Sequence, residues 1–363
     1  MSDVGQIIKK SALITSYPLN TGVGTYAKEL YNLGFFREFL FFKTYFGGDE
    51  SEFTSVVHPR NRTMGVIDKT LSVLLKHNRY ARCLDKFSYV HFADPDFFHM
   101  AKHKEAVGTI HDLFSFEKGM KEDYSFLQRK YYEIELSHAD DLKGILTISY
   151  QSKRKIQELF PNLDPTVIHL WTDDSFIYRD KVKARKMLNL PLDKIIILNV
   201  SGDYKRKNID ILPRIMDNLD SNYLLLRIGP SERIRNQFHN RNFEFYSYVN
   251  KETYPYFFNA ADIAIMPSLE EGFGRPVIQA INSGIPVIAS DIGIFKEILG
   301  SYKYLADPKN PDDWVEKIKD LEEKSGYSGF AQKLYAKISD YYRPDRALRQ
   351  HIEYYKKVGF LVH

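Results

Sequence analysis

MPSLEEGFGRPVIQAINSGIPVIASD, Met266 to Asp291, is the stretch from which the rest of the chain is read. An apolar run ends at Met266. A loop follows with two acids, Glu270 and Glu271, and two glycines, Gly272 and Gly274. Pro276 suits the first turn of a helix, where its missing N–H would have had no partner. Gly284 stops that helix after about two turns, and a further apolar strand follows. Strand, glycine-rich turn, helix and strand make the repeating unit of a parallel α/β sheet. Such a turn leaves backbone N–H groups at the positive end of a helix, an anion site suited to a phosphate. A carboxylate in the same loop accepts hydrogen bonds from two hydroxyls, as a sugar presents them. Taken alone, a turn of this kind is also an ordinary start to a helix.

The same alternation extends over the chain. Strands are expected at Ser11 to Ser16, Tyr89 to Phe92, Val107 to Ile110, Gly144 to Ile148 and Thr166 to Leu170. A second series is expected at Ile195 to Val200, Tyr223 to Ile228, Phe243 to Tyr246, Ile263 to Met266 and Pro286 to Ala289. Helical patterns fall between most of these, the first starting near Thr25 after the loop Asn20 to Gly24. Two strand–helix series imply two doubly wound parallel-sheet domains. The length of 363 residues agrees, at roughly 150 residues per domain. The polar segment Thr172 to Lys194 reads as the passage between them.

Composition excludes several classes. Hydrophobic residues make up 44% and charged residues 27%, too apolar for a disordered chain. Purely apolar runs reach only about four residues against the ~20 of a membrane-spanning helix. The N-terminus shows no secretory signal pattern. Cys83 is the one cysteine, so no internal disulfide or cysteine zinc site is available, and a reducing, cytoplasmic setting is expected. The net charge of +4 is far from the footprint of a nucleic-acid binder.

Arg60 to Lys86 holds seven basic residues and two acids, with Val66, Ile67, Leu71, Leu74 and Leu75 near helical spacing. This reads as a solvated helix packed by one face, the commoner case, or as a surface lying on an anionic membrane. Asp94-Pro95-Asp96 reads as a loop. His99 and His103, spaced like zinc ligands but without a third, read as a solvated helix face.

The stretch around Glu271 resembles the signature of the retaining glycosyltransferases of family 4, which have the GT-B fold. Glu271, Gly272, Phe273, Gly274 and Pro276 match it, and the family's second Glu is replaced by Gln279. Further segments resemble the family in order: GVGTY (Gly22 to Tyr26), TIHDL (Thr109 to Leu113), HADDLKGILTISYQSKRKI, Lys207-Asn208, and YSYVNKETYPYFFNAADIAIMPS.

The resemblance implies α/β GT-B architecture, with two domains facing across a cleft. The first would span residues 1–172, with a C-terminal helix, 344–363, packing back on it. The second, 173–343, would bind the nucleotide sugar. The activity implied is transfer of a sugar from a nucleotide-diphosphate sugar to an unidentified acceptor (glycan, lipid or protein), with retention, the leaving phosphate acting as base, and no metal or other cofactor. By position, Glu271 should contact sugar hydroxyls and His111 the reacting sugar. By itself His111 reads as a histidine at a strand end. Phe273, Gly274 and Arg275 should offer N–H groups, and Lys207 should pair with the diphosphate. Gly22 and Gly24 should approach it from the first domain, where a Cβ would crowd it. Tyr248 and Val249 should meet the base.

Two departures from the family stand out. Gln279 has one acceptor oxygen where a Glu would hold both ribose hydroxyls, a loss of about 1–2 kcal/mol. Gly202 stands where an Arg is common, and Arg206 or Lys205 is expected to supply that charge. They motivate a second reading, a degenerate GT-B protein that binds a nucleotide sugar or glycan without turnover. A different enzyme on the same fold, such as an epimerase or phosphorylase, is the third.

Overall fold

The computed structural model describes residues 10–43, 50–58, 79–102, 104–116, 125–238, 243–300, 302–323 and 338–360, with Leu334 and Ala336. The chain divides into two compact units. One runs to His169 and takes up the chain again from Ala347, and the other is Leu170–Arg346.

The first unit is built on β1 (Ser11–Thr15), β2 (Glu38–Phe42), β3 (Ser55–Val57), β4 (Tyr89–Phe92), β5 (Glu105–Ile110), β6 (Gly144–Thr147) and β7 (Thr166–Val167). They form a seven-stranded sheet in the order β3-β2-β1-β4-β5-β6-β7. Every pairing is parallel. A parallel sheet is covered on both faces, which is why β1 is buried at every residue. One cover is the C-terminal helix Pro344–Lys357 and the turn after it, where Tyr355 and Phe360 stack and Phe360 meets Tyr89.

The second unit is built on β8 (Ile195–Val200), β9 (Tyr223–Ile228), β10 (Phe243–Tyr246), β11 (Ile263–Met266), β12 (Val287–Ser290) and β13 (Leu305–Ala306), in the order β10-β9-β8-β11-β12-β13. These pairings are parallel too. In both sheets the strand order reverses once, beside β1 and β4 in the first and beside β8 and β11 in the second. Loops at the carboxyl ends of strands that flank such a reversal diverge and leave a crevice for ligands.

The structure corrects several sequence readings. β2, β3 and β13 join the sheets without having been expected as strands, since short aromatic or two-residue strands carry no clear period. The first helix, Gly22–Asn32, starts three residues earlier than Thr25, because the Thr21 hydroxyl accepts from Gly24 N–H and caps it there. Thr172 to Lys194 is no bare passage. It contains the helix Lys181–Met187, whose Arg185 is buried against Asp262 in an ion pair of 2.5 Å. Asp94-Pro95-Asp96 opens a 3₁₀ helix, Pro95–Met100, with Asp94 as its cap, rather than a loop. His99 is not solvated, because its Nδ1 lies 2.8 Å from the buried Glu135 carboxylate. His103 and most of Arg60 to Lys86, up to residue 78, lie outside the described residues.

Candidate functional site

Two loops of the second unit bring the charged residues together. After β8 the chain turns through a 3₁₀ segment, Lys205–Lys207, and Asn208 takes a left-handed conformation with φ 53°. The Asn208 amide donates to the carbonyl oxygens of Pro267, at 3.0 Å, and Pro308, at 2.7 Å. The Leu269 N–H donates to the Arg206 carbonyl at 2.7 Å. The bonds to Pro267 and Leu269 staple the loop after β8 to the loop after β11, which carries Glu271, and the bond to Pro308 ties it to the turn after β13.

Glu271 is only 8% exposed, so it is a buried acid rather than the surface loop acid its place in a glycine-rich turn would suggest. Lys207 Nζ lies 2.5 Å from its Oε1, and the Ser268 hydroxyl donates to the same oxygen at 2.8 Å. Arg206 Nη1 stands 3.4 Å from Oε2, with its guanidinium over the Tyr204 ring. Burial raises the Glu271 pKa, but the charges of Lys207 and Arg206 outweigh it, and the carboxyl is held below its ordinary value. The cluster of one carboxylate and two cations carries a positive balance at the reversal of the sheet.

The helix Arg275–Asn282 starts beside this cluster. Gly274 is its cap residue, at φ 86°, and no side chain caps the helix. A Cβ on Gly274 would come within 2.5 Å of the Phe295 ring, so both the backbone angle and the space require glycine there. Phe273 is buried, with its ring against Tyr342, and the Arg275 side chain is half-buried. Gln279, also buried, accepts a hydrogen bond from the Tyr254 hydroxyl at 3.1 Å. That bond uses one of the two lone pairs on the single acceptor oxygen of Gln279. Tyr248 and Val249 lie in the loop after β10, Tyr248 exposed and Val249 partly so.

Sequence reasoning missed Arg227 on β9. Its guanidinium is fully buried and donates to Asn199, Ser201, Pro230 and Ser231. Burial pulls its pKa down to about 10, so it stays charged at neutral pH. An Arg inside an otherwise apolar strand, YLLLRI, was the available signal. Arg227 braces the start of the loop that bears Arg206 and Lys207.

In the first unit His111 directly follows β5. Its Nε2 is 2.9 Å from the Ala93 carbonyl, which can only accept, so Nε2 carries a proton and Nδ1 is the other nitrogen of the ring. Tyr26 meets it edge to face at 4.8 Å. Gly22 and Gly24 lie in the turn that opens the helix Gly22–Asn32. A Cβ at Gly24 would strike the Pro18 carbonyl at 2.0 Å, whereas one at Gly22 would meet nothing within 4 Å. The turn itself therefore already requires glycine at position 24.

Asp94 and Asp96, read from the sequence only as part of a loop, form a second buried acidic site. Asp94 accepts from the Thr15 hydroxyl at 3.0 Å and from the Ser16 N–H at 2.9 Å, and the Ser16 hydroxyl bonds both carboxylates. The pair ties the end of β1 to the end of β4. Among the described residues no group of His, Cys, Asp and Glu is arranged to hold a metal ion, and no helix is long and apolar enough to cross a membrane. Cys83 is half-buried, and burial pushes its thiol pKa up.

Residues 180–343 match the family described as Glycosyl transferases group 1. The O-antigen chain mannosyltransferase B of Escherichia coli is 26% identical over 329 residues, covering 82% of this chain and 85% of its own length. Among solved structures, the sucrose-phosphate synthase of Thermosynechococcus elongatus superposes with a TM-score of 0.76 at 16% identity, over 96% of this chain and 99% of that one. Anabaena HepE, in complex with UDP and glucose, gives a TM-score of 0.76 at 15% identity, over 96% and 100% of the two chains. The structural neighbours show the GT-B fold, and the match to the group 1 family lies within the second unit.

Proposed function

We propose that this GT-B glycosyltransferase is a retaining hexosyltransferase of family 4, moving a sugar from a nucleotide-diphosphate sugar to an acceptor hydroxyl. The observation that carries the reading is the cluster of Lys207, Arg206 and Glu271 at the carboxyl ends of β8 and β11. Two cations there neutralise a leaving diphosphate, each charge-assisted bond being worth about 1.5–3 kcal/mol. Arg206 supplies the guanidinium that Gly202 lacks. Lys207 has three N–H donors, so it can hold Glu271 and a phosphate oxygen together. The Glu271 carboxylate, ionised at neutral pH, receives sugar hydroxyls. The N–H groups of Phe273, Gly274 and Arg275 face the sugar and diphosphate, and Tyr248 and Val249 the base. Nδ1 of His111 accepts from a hydroxyl of the reacting sugar.

The bond from the anomeric carbon to the phosphate oxygen breaks, and the bond to the acceptor oxygen forms on the same face. The acceptor proton passes to the departing phosphate oxygen. Charge stabilisation and orientation supply the catalysis, with no covalent nucleophile and no metal in the scheme. The mannosyltransferase name of the relative and the UDP and glucose held by the structural neighbour make mannosyl and glucosyl donors and a glycan acceptor the first to try. A cytoplasmic location, with peripheral membrane contact through Arg60 to Lys86, belongs to the same proposal.

The test is calorimetric titration of the full chain with UDP-glucose, GDP-mannose and the free nucleoside diphosphates. One donor binding at micromolar to submillimolar concentration, and weakened by Lys207→Ala, supports the reading. Absence of binding at millimolar concentration moves the non-catalytic reading ahead, because Gln279 and Gly202 would then have cost the chain its donor.

A further inference from the structure

We infer that a buried hydrogen-bonded chain, Tyr355–His91–Thr109–Tyr26, positions the imidazole of His111 from the far side and ties it to the C-terminal helix. This rests on the reading of His111 as a residue at the reacting sugar. His91 Nδ1 is 2.7 Å from the Tyr355 hydroxyl, and its Nε2 is 2.8 Å from the Thr109 hydroxyl. The Thr109 hydroxyl is 3.0 Å from that of Tyr26. The Tyr26 ring then closes edge-on against His111.

Strand geometry explains why the groups line up. His91 and Ala93 are two apart at the end of β4, and Thr109 and His111 are two apart at the end of β5, so each pair lies on one face of the sheet. β4 and β5 are direct neighbours, with His91 opposite Val107 and Phe92 opposite Gly108. The strand that carries His91 therefore leads on to the Ala93 carbonyl, which accepts the hydrogen bond from His111 Nε2–H, and Thr109 leads on to His111 itself. Tyr26 comes from the helix Gly22–Asn32 and Tyr355 from the helix Pro344–Lys357.

All four side chains are buried, His91, Thr109 and Tyr355 completely. A buried polar group costs stability unless it is bonded, and each internal link of this chain is made. Burial, followed by the charges of His351 and His111, drives the His91 pKa well down, so His91 is neutral. A neutral imidazole has one donor and one acceptor nitrogen, so of the two bonds at His91 the ring donates one and accepts the other. Such a chain has few alternative arrangements, and it fixes the Tyr26 ring against which His111 rests. A packing role alone would be met as well by Phe and Val at these sites. Tyr26, Thr109, His91 and Tyr355 are in this sense positioning residues, none of them touching substrate.

The experiment uses the full chain labelled with ¹⁵N-histidine, the His111 signals being assigned by their loss in His111→Gln. Thr109→Val keeps the shape of the side chain and removes its hydroxyl, cutting the chain in the middle, while Thr109→Ser restores the hydroxyl. The expected result is that Thr109→Val moves the His111 ring resonances and changes their tautomer pattern, and that Thr109→Ser returns them. With the donor identified among UDP-glucose and GDP-mannose, kcat should fall about tenfold in Thr109→Val while KM stays within about twofold, the loss of one hydrogen bond's worth of alignment. Tyr355→Phe, which removes one hydroxyl from the far end, should give the same shift more weakly and serves if Thr109→Val does not fold. His111 resonances unmoved in a folded Thr109→Val or Tyr355→Phe would overturn the inference. The resonances do not depend on turnover, so a chain that transfers no sugar would sink the reading of His111 and leave the positioning test standing.

Discussion

The two units repeat one topology and fill its strand reversal with opposite chemistry. At the ends of β1 and β4, two carboxylates, Asp94 and Asp96, are held by the Thr15 and Ser16 hydroxyls and the Ser16 N–H. At the ends of β8 and β11, one carboxylate, Glu271, is outnumbered by Lys207 and Arg206. The sheet decides where a site can be, because diverging loops leave the crevice in both units. The loop residues decide what that site attracts. The two cations of the second unit suit an anion, whereas the acids of the first unit tie two strands together.

This contrast can be broken by experiment. The largest effect is expected from Glu271→Ala, which should lower transfer by about 10²–10³-fold, as loss of a preorganised charge in a buried site does. Because Glu271 is buried and paired, the variant should also unfold at lower temperature, which circular dichroism would read. Wild-type turnover would remove Glu271 from the site. Next, Asp94→Ala should destabilise the chain by about 2–4 kcal/mol in urea denaturation, since it strands the bonds of Thr15 and Ser16. Nucleoside diphosphate affinity in the folded variant should stay as it was, and a large loss would erase the distinction between the two units.

Lys207→Ala should weaken nucleoside diphosphate binding by roughly tenfold or more in calorimetry, the value of one charge-assisted bond. Gln279→Glu should strengthen it by about tenfold at most, since a carboxylate can keep the Tyr254 bond and still accept from a ribose hydroxyl. Unchanged affinity would mean that residue 279 does not face the ribose. The smallest effect is in the pH profile. The Glu271 pKa is depressed in the folded chain, so its ion pairs stabilise the chain above the ordinary glutamate value of 4.5 and lose that contribution as pH falls through the lowered pKa. Acid unfolding of Glu271→Gln should therefore differ from wild type below that value and run parallel to it between pH 6 and 8, a window in which this carboxylate does not titrate.

Much of the architecture was legible because parallel strands buried on both faces write themselves as short apolar runs. IIILNV and IAIM are of this kind, and so is SALIT. EFLFF and the two-residue β13 escaped notice because neither shows a period long enough to separate strand from core helix. Asp-Pro-Asp was misread for another reason. Its acids look solvated until Ser16, distant in sequence, is brought beside them. Arg227 and His91 were overlooked in the same way, since a polar residue inside a strand gives no sign of the partners that make its burial tolerable.

The sequence by itself determined the alternation of strand and helix and the two sheets, local properties set by side-chain period and by the few residues a tight turn accepts. Lys207 and Glu271 stood out through the resemblance to family 4, Glu271 also as a carboxylate in a glycine-rich turn. Only the tertiary structure decided that Glu271 is buried and paired, that the Tyr254 hydroxyl bonds Gln279, and that Tyr355 reaches His91 across 264 positions of chain. Hydrogen bonds and ion pairs act over a few ångströms, and which groups come that close is fixed by the packing of whole elements rather than by their order in the chain.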